Sequence, residues 1–252
     1  MPFLPLTKKE MNERGWEAAD IIIVTGDAYV DHPSFGTAIV SRVLESAGFK
    51  VCIISQPRSD EDYKRFGKPR LAFFVNSGNI DSMVAHYTAA KRKRSDDAYT
   101  PGGKAGARPE RAVIVYSKAI RRIFGDVPVC IGGIEASLRR FAHYDYWDNK
   151  VRRSLLVDSR ADMITYGMGE NIILRIATLL DKGVPVKKIR DVRGTVYLCS
   201  EGEKIHFPIA AEFDYNELKT DKRKYAEAFG VQYKNQDSAY GKALVEYYGD
   251  KM

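Results

Sequence analysis

The sequence predicts a doubly wound α/β fold with a mainly parallel sheet, Rossmann-like or cobalamin-binding-domain-like, on three observations. Short aliphatic runs recur without the alternation of a half-exposed sheet, as expected of strands covered on both faces. Stretches with helical spacing of apolar residues separate them. Glycines follow several runs directly, where a strand must turn into a helix.

In order, residues 20–25 read as a buried strand, and 37–47, closed by Gly48, as an amphipathic helix. Residues 51–54 and 71–75 read as the second and third strands, 112–116 as a fourth and 127–131 as a fifth. Helices are expected over 117–124, 134–142 and 170–180, with short strands at 154–157 and 163–166. The α/β domain is set at 20–205, after a leader over 1–19 and before a charged tail over 206–252. One tail helix is expected near 216–229, ended by Gly230. Residues 95–111, rich in Gly and Pro, read as a long functional or mobile loop.

Composition narrows the function classes. With 252 residues, 44% hydrophobic and 29% charged, the chain is neither disordered nor collagen-like. No apolar run approaches the roughly 18 residues of a membrane helix, and residues 1–10 hold no apolar signal core, so a cytoplasmic protein with no membrane partner is expected. Cys52, Cys130 and Cys199 lie far apart inside apolar stretches and read as reduced, buried strand residues. No metal-ligand spacing joins them or the four histidines, so no metal site is expected. The net charge of +7 is equalled by residues 91–123 alone, where ten basic residues face three acidic ones.

Ligands of an open parallel sheet collect at the carboxyl ends of its strands. The loop after the first strand offers Asp27, Tyr29, Asp31, His32, Ser34 and Gly36. Gly132, Gly133 and Glu135 follow the fifth strand, and Gly167, Gly169 and Glu170 follow the strand at 163. These turns suit either tight chain reversal or close approach of a phosphate-bearing or ring-shaped ligand. Arg139, Arg140, His143, Tyr144 and Trp147 interleave cations with aromatics, a mixture fit for stacking bases and holding phosphates or for an internal cation–π and salt-bridge layer. No catalytic residue stands out. Neither a P-loop nor Gly-x-Gly-x-x-Gly is present, which argues against a self-contained nucleotide enzyme.

The runs VTGDAYVDHPSFG (24–36), HYTAAKRKRSDDAYTPGGK (86–104), GGIEASLRRFAHYDYWDNKVRRS (132–154), DSRADMITYGMGE (158–170) and IRDVRGTVY (189–197) resemble the N-terminal region of the YgiQ family of radical S-adenosylmethionine proteins. The resemblance implies an accessory domain preceding a radical SAM barrel of the same polypeptide. That barrel's CxxxCxxC loop holds a [4Fe–4S] cluster, and it would act with S-adenosylmethionine on an unidentified substrate. This chain has no such motif, so no cofactor of its own is expected and the chain alone should be inactive. The region is also similar to cobalamin-binding domains, whose histidine ligand lies in Asp-x-His-x-x-Gly. Here Asp31, His32 and Gly36 read Asp-His-x-x-x-Gly, one place early, so ligation by His32 does not follow. The alternatives are a cobalamin-binding domain and a module binding RNA or another polyanion through residues 91–160.

Overall fold

A computed structural model describes residues 2–252. The elements in chain order are α1 (Lys8–Glu13), β1 (Ile21–Thr25), α2 (Gly36–Ser46), β2 (Val51–Ser55), α3 (Asp60–Lys64), β3 (Ala72–Asn76), α4 (Ser82–His86) and α5 (Ala112–Phe124). They continue with β4 (Val129–Ile131), α6 (Gly133–Leu138), β5 (His143–Asp145), β6 (Lys150–Arg152), α7 (Leu155–Ser159), β7 (Met163–Thr165), α8 (Glu170–Asp181) and β8 (Thr195–Tyr197). The remainder holds β9 (Ile209–Asp214), α9 (Tyr215–Thr220), α10 (Lys222–Lys234) and β10 (Ala243–Tyr247).

The central sheet runs β2-β1-β3-β4-β7-β8, all parallel except β8, which pairs antiparallel with β7. The chain winds outward in opposite directions from β1 and β3, so the crevice between their carboxyl ends is the topological switch point. Side chains alternate across the strands. Ile22, Val24, Phe73 and Val75 meet Val113, Tyr116 and Ile120 of α5 with Leu155 and Leu156 of α7, while Ile21, Ile23 and Ile53 meet Leu44 of α2 with Ile173 and Ile176 of α8. Burial on both faces explains the uninterrupted aliphatic runs. The edge strand β2 is covered by the segment before α1, where the Ile53 N–H donates to the Pro5 carbonyl at 2.9 Å.

Several sequence expectations are corrected. Residues 112–116 are not a strand but the first turns of α5, which continues through the helix expected at 117–124. Other elements satisfy its leading N–H groups: Ser82 Oγ accepts from Ala112 at 3.1 Å and Glu135 Oε1 from Val113 at 3.2 Å. Residues 154–157 also turn helical, because Ser154 Oγ accepts from the Leu156 N–H and caps α7. The helix expected to reach residue 142 stops at Leu138. Cys52 and Cys130 sit in β2 and β4, but Cys199, also buried, lies beyond β8.

Residues 206–252 are more ordered than a tail with one helix. Asp221 divides the expected helix in two, ending α9 and capping α10 through its side chain, and Gly230 lies inside α10 rather than ending it. β9 and β10 form a parallel pair, and Leu218 and Ala228 pack with Ala142 and Val151 beside the β5–β6 hairpin. No helix among the described residues is long and apolar enough to cross a membrane.

Candidate functional site

The carboxyl ends of β1 and β3 are stitched together. Thr25 Oγ1 donates to Asn76 Oδ1 at 2.8 Å, and the same oxygen accepts from the Gly78 N–H at 2.8 Å. A Cβ on Gly26 would stand 2.1 Å from the Ser77 carbonyl oxygen, and one on Gly78, at φ +103°, would stand 1.9 Å from Asp27 Oδ1. Both positions therefore require glycine.

Into this contact the chain inserts Arg108, whose side chain is 0% exposed. Its guanidinium pairs with Asp27 at 2.9 Å and with Asp97 at 2.9 and 3.1 Å, and donates to the Ser77 carbonyl at 2.7 Å. Burial pushes the Asp27 carboxyl above its ordinary range, against the Asn79 N–H and Arg108, which pull it down. The segment bearing Asp97 and Arg108 is held at further points. The Ala28 N–H donates to the Tyr99 carbonyl at 2.9 Å, Gln56 Nε2 donates to Thr100 Oγ1 at 2.8 Å and Gly26 O at 2.9 Å, and Phe35 meets Tyr99 edge-on at 6.1 Å. Residues 97–108 are thus a fastened strap across the switch point. Asp97 and Arg108 lie in the long Gly- and Pro-rich loop, which is the sequence's signal for them, whereas Asn76, Ser77, Gly78 and Asn79, at the end of the third strand, form no motif.

The remaining residues of the first loop disperse. Asp31 turns to Arg42 of α2, which holds its carboxyl below the usual range. Tyr29 packs against the α2 and α8 face of the core. His32 is exposed, and its Nδ1 accepts from the Ser34 N–H at 3.1 Å. Asn79 clasps this loop, accepting from the Gly36 N–H at 3.3 Å and donating to Ser34 O at 3.1 Å.

Gly132 lies against Thr165, whose Oγ1 would stand 2.6 Å from an added Cβ, and Gly133 takes a left-handed φ of +78° at the start of α6. Glu135 turns inward, 1% exposed, and accepts from the Ser82 N–H at 2.9 Å as well as from Val113, with burial raising its pKa. Arg139 pairs with Asp81, the N-cap of α4. Glu135 and Arg139 therefore tie α4, α5 and α6 together. Gly167 and Gly169 lead into α8 and its first residue Glu170, with Gly169 serving as an N-cap without a side-chain bond.

In the β5–β6 hairpin, Asp145 accepts from Arg111 at 2.9 Å and from the Trp147 and Asp148 N–H groups at 3.0 Å. Burial pushes His143 down to about 4, and its Nδ1 lies 3.2 Å from the Phe141 carbonyl. Tyr144 is exposed and donates to Asn149 at 2.6 Å. Trp147 lies edge-on to Tyr146 at 5.7 Å.

Part of the basic middle of the chain is spent internally. Arg108, Arg111, Arg121, Arg122, Arg139, Arg152 and Arg153 all pair with aspartates. Lys91, Arg92, Lys93 and Arg94 are exposed, and none pairs with an acidic side chain among the described residues.

Two cofactors implied by resemblance can be set against these residues. A cobalamin in the switch-point crevice, ligated by His32, does not fit: Arg108 and the strap fill the crevice, and His32 stands outside it. An iron–sulfur cluster does not fit either. Among the described residues no three His, Cys, Asp or Glu side chains gather in metal-binding geometry, and burial pushes the Cys52 thiol up to about 12.

Residues 3–252 match the family described as Radical SAM N-terminal. A UPF0313 protein of Clostridium botulinum (strain Okra / Type B1) is 57% identical over 251 residues, covering 98% of this chain and 38% of the relative. A UPF0313 protein of Clostridium perfringens (strain ATCC 13124) is 53% identical over 251 residues, covering 99% and 38%. The chain thus spans 38% of the length of these curated relatives. Among solved structures, the radical S-adenosylmethionine methyltransferase TsrM from Kitasatospora setae, with tryptophan substrate and a SAM analog bound, aligns with TM-score 0.47 and 17% identity, over 71% of this chain and 28% of that one. The match over nearly every residue places the chain in the Radical SAM N-terminal family, in the region it shares with the UPF0313, YgiQ-type proteins.

Proposed function

We propose that this chain serves as the accessory domain of a YgiQ-type radical SAM enzyme and positions substrate or cofactor at the mouth of a barrel carried by the same polypeptide. The observation that carries the reading is the family match over residues 3–252 in relatives more than twice as long. The [4Fe–4S] cluster and S-adenosylmethionine belong to that barrel, where they would supply the 5′-deoxyadenosyl radical. This chain's own part is orientation and exclusion of water. The glycine turns at Gly132 and Gly167 and the starts of α2, α6 and α8 all open on one sheet edge, which supports that edge as the face turned to the barrel. The test is anaerobic reconstitution of the full-length UPF0313 relative with reductant. Formation of 5′-deoxyadenosine is the expected result, and its absence counts against the reading.

A second reading is favoured by one observation: Lys91 to Arg94 are exposed without acidic partners among the described residues, and the Lys91 ammonium lies 4.7 Å from the Tyr146 ring centroid and donates to the Trp147 carbonyl. Such a surface suits RNA or another polyanion. Binding to tRNA should weaken steeply between about 50 and 200 mM salt, because phosphate contacts release counterions. Salt-independent binding would remove this reading.

A further inference from the structure

Between β8 and the segment leading into β10 lies a cavity of about 120 Å³ with aromatic and aliphatic walls. Its closure depends on two glycines. An added Cβ on Gly167 would stand 2.8 Å from Ser238 Oγ, and one on Gly194 would stand 3.1 Å from Ser238 Cβ, so the segment around Ser238 lies directly on the turn after β7 and the entry to β8.

Arg140 and Arg193 line the cavity, and neither pairs with a carboxylate among the described residues. Arg140 stacks its guanidinium over Tyr166 at 4.8 Å and donates once, to the Ser137 carbonyl at 2.7 Å. Burial lowers its pKa, and no carboxylate acts to raise it. Arg193, on the same wall of the cavity as Gly194, lies 4.7 Å from the Phe207 ring centroid and donates to the Gly241 carbonyl at 3.0 Å. The two guanidiniums thus line one cavity, the first stacked on Tyr166 and the second on Phe207. The one acidic side chain in the lining, Glu246, is engaged elsewhere: both its oxygens accept from the Ala142 N–H, at 3.0 and 2.9 Å, and one also from the Tyr248 hydroxyl. A half-buried guanidinium facing an apolar cavity is costly until an anion meets it, and its planar fork matches carboxylates and phosphates. Elsewhere the chain's buried arginines carry aspartate partners, as Arg108 and Arg139 do.

We propose that this cavity binds a small molecule with a flat apolar body and one oxyanion, a carboxylate or a phosphate ester, held by Arg140 and Arg193 against Tyr166. The site lies apart from the switch-point crevice and is tested on this chain alone, so it stands or falls apart from the function proposed above.

The test is titration of the 252-residue chain with benzoate, phenyl phosphate and neutral phenol, followed by saturation-transfer NMR. At least one anion should bind about tenfold more tightly than phenol, a preference of about 1.4 kcal/mol. Benzoate against phenyl phosphate decides between carboxylate and phosphate. Arg140→Gln should lose that preference while melting normally, and Arg193→Gln, which removes the cation on the more exposed side, provides the same reading should Arg140→Gln fail to fold. Equal binding of phenol and both anions, no anion binding up to about 10 mM, or an unchanged preference in both folded variants would overturn the proposal.

Discussion

Replacing Arg108 with Met tests whether the strap across the switch point is held by charge. The substitution keeps much of the volume and removes the cation that serves two carboxylates, Asp27 and Asp97, whose side chains are 4% and 3% exposed. Breaking a buried pair by removing one partner costs about 3–5 kcal/mol, because the remaining charge is stranded in a poorly solvating interior. For a chain of this length that is a fall in Tm of roughly 10 °C. Urea unfolding followed by circular dichroism at pH 8 should show the full deficit. Burial already raises the Asp27 pKa, and without Arg108 it must rise further, so protonation of Asp27 relieves the stranded charge and the deficit shrinks from pH 8 to pH 5. The triple variant Arg108→Met, Asp27→Asn, Asp97→Asn should recover more than half of the loss. A single-variant deficit below about 1 kcal/mol, or one that ignores pH and persists in the triple variant, would show that the strap is held by packing.

Glu246 has a pKa of about 7 against an ordinary 4.5, so its contribution to stability is present below pH 4.5 and is lost as pH rises through 7. The loss is about 3 kcal/mol, and Glu246→Gln should flatten the unfolding free energy between pH 5 and pH 8 and exceed the natural chain at pH 8. Gly26→Ala drives a methyl into the Ser77 backbone and should fail to fold or lose more than about 3 kcal/mol, whereas Gly36→Ala meets open space in α2 and should be neutral or stabilising by up to about 1 kcal/mol in the same assay. Hydroxocobalamin added to the reduced chain should leave its visible spectrum unchanged and elute apart from the protein. A spectral shift abolished by His32→Ala would contradict the filled crevice.

The sheet was legible where neighbouring residues decide the structure. Ile21 to Val24 and Val51 to Ile54 are buried on both faces, and their aliphatic runs say so directly. Residues 112–116 misled because Ala-Val-Ile-Val-Tyr is β-branched, although Val113, Tyr116 and Ile120 carry a helical stripe when the window extends to Phe124. The glycines at 132, 133, 167 and 169 were found by their positions after strands, but their partners were not. Ser238 on Gly167 and Thr165 against Gly132 are contacts across the fold that spacing does not encode. In the sequence Arg108 is one of ten basic residues between positions 91 and 123. Its pairing with Asp27 joins residues 81 positions apart, and no local pattern marks it as a core residue.

The bond between Ile53 and Pro5 bears on solubility as well as shape. β2 is an outer strand with an apolar sequence, and an uncovered strand of that kind is a template on which a second chain can add. By lying along it, the segment before α1 acts as a guard against self-association, so a change at Leu4 or Pro5 would matter first for the colloidal behaviour of the protein and only then for its chemistry.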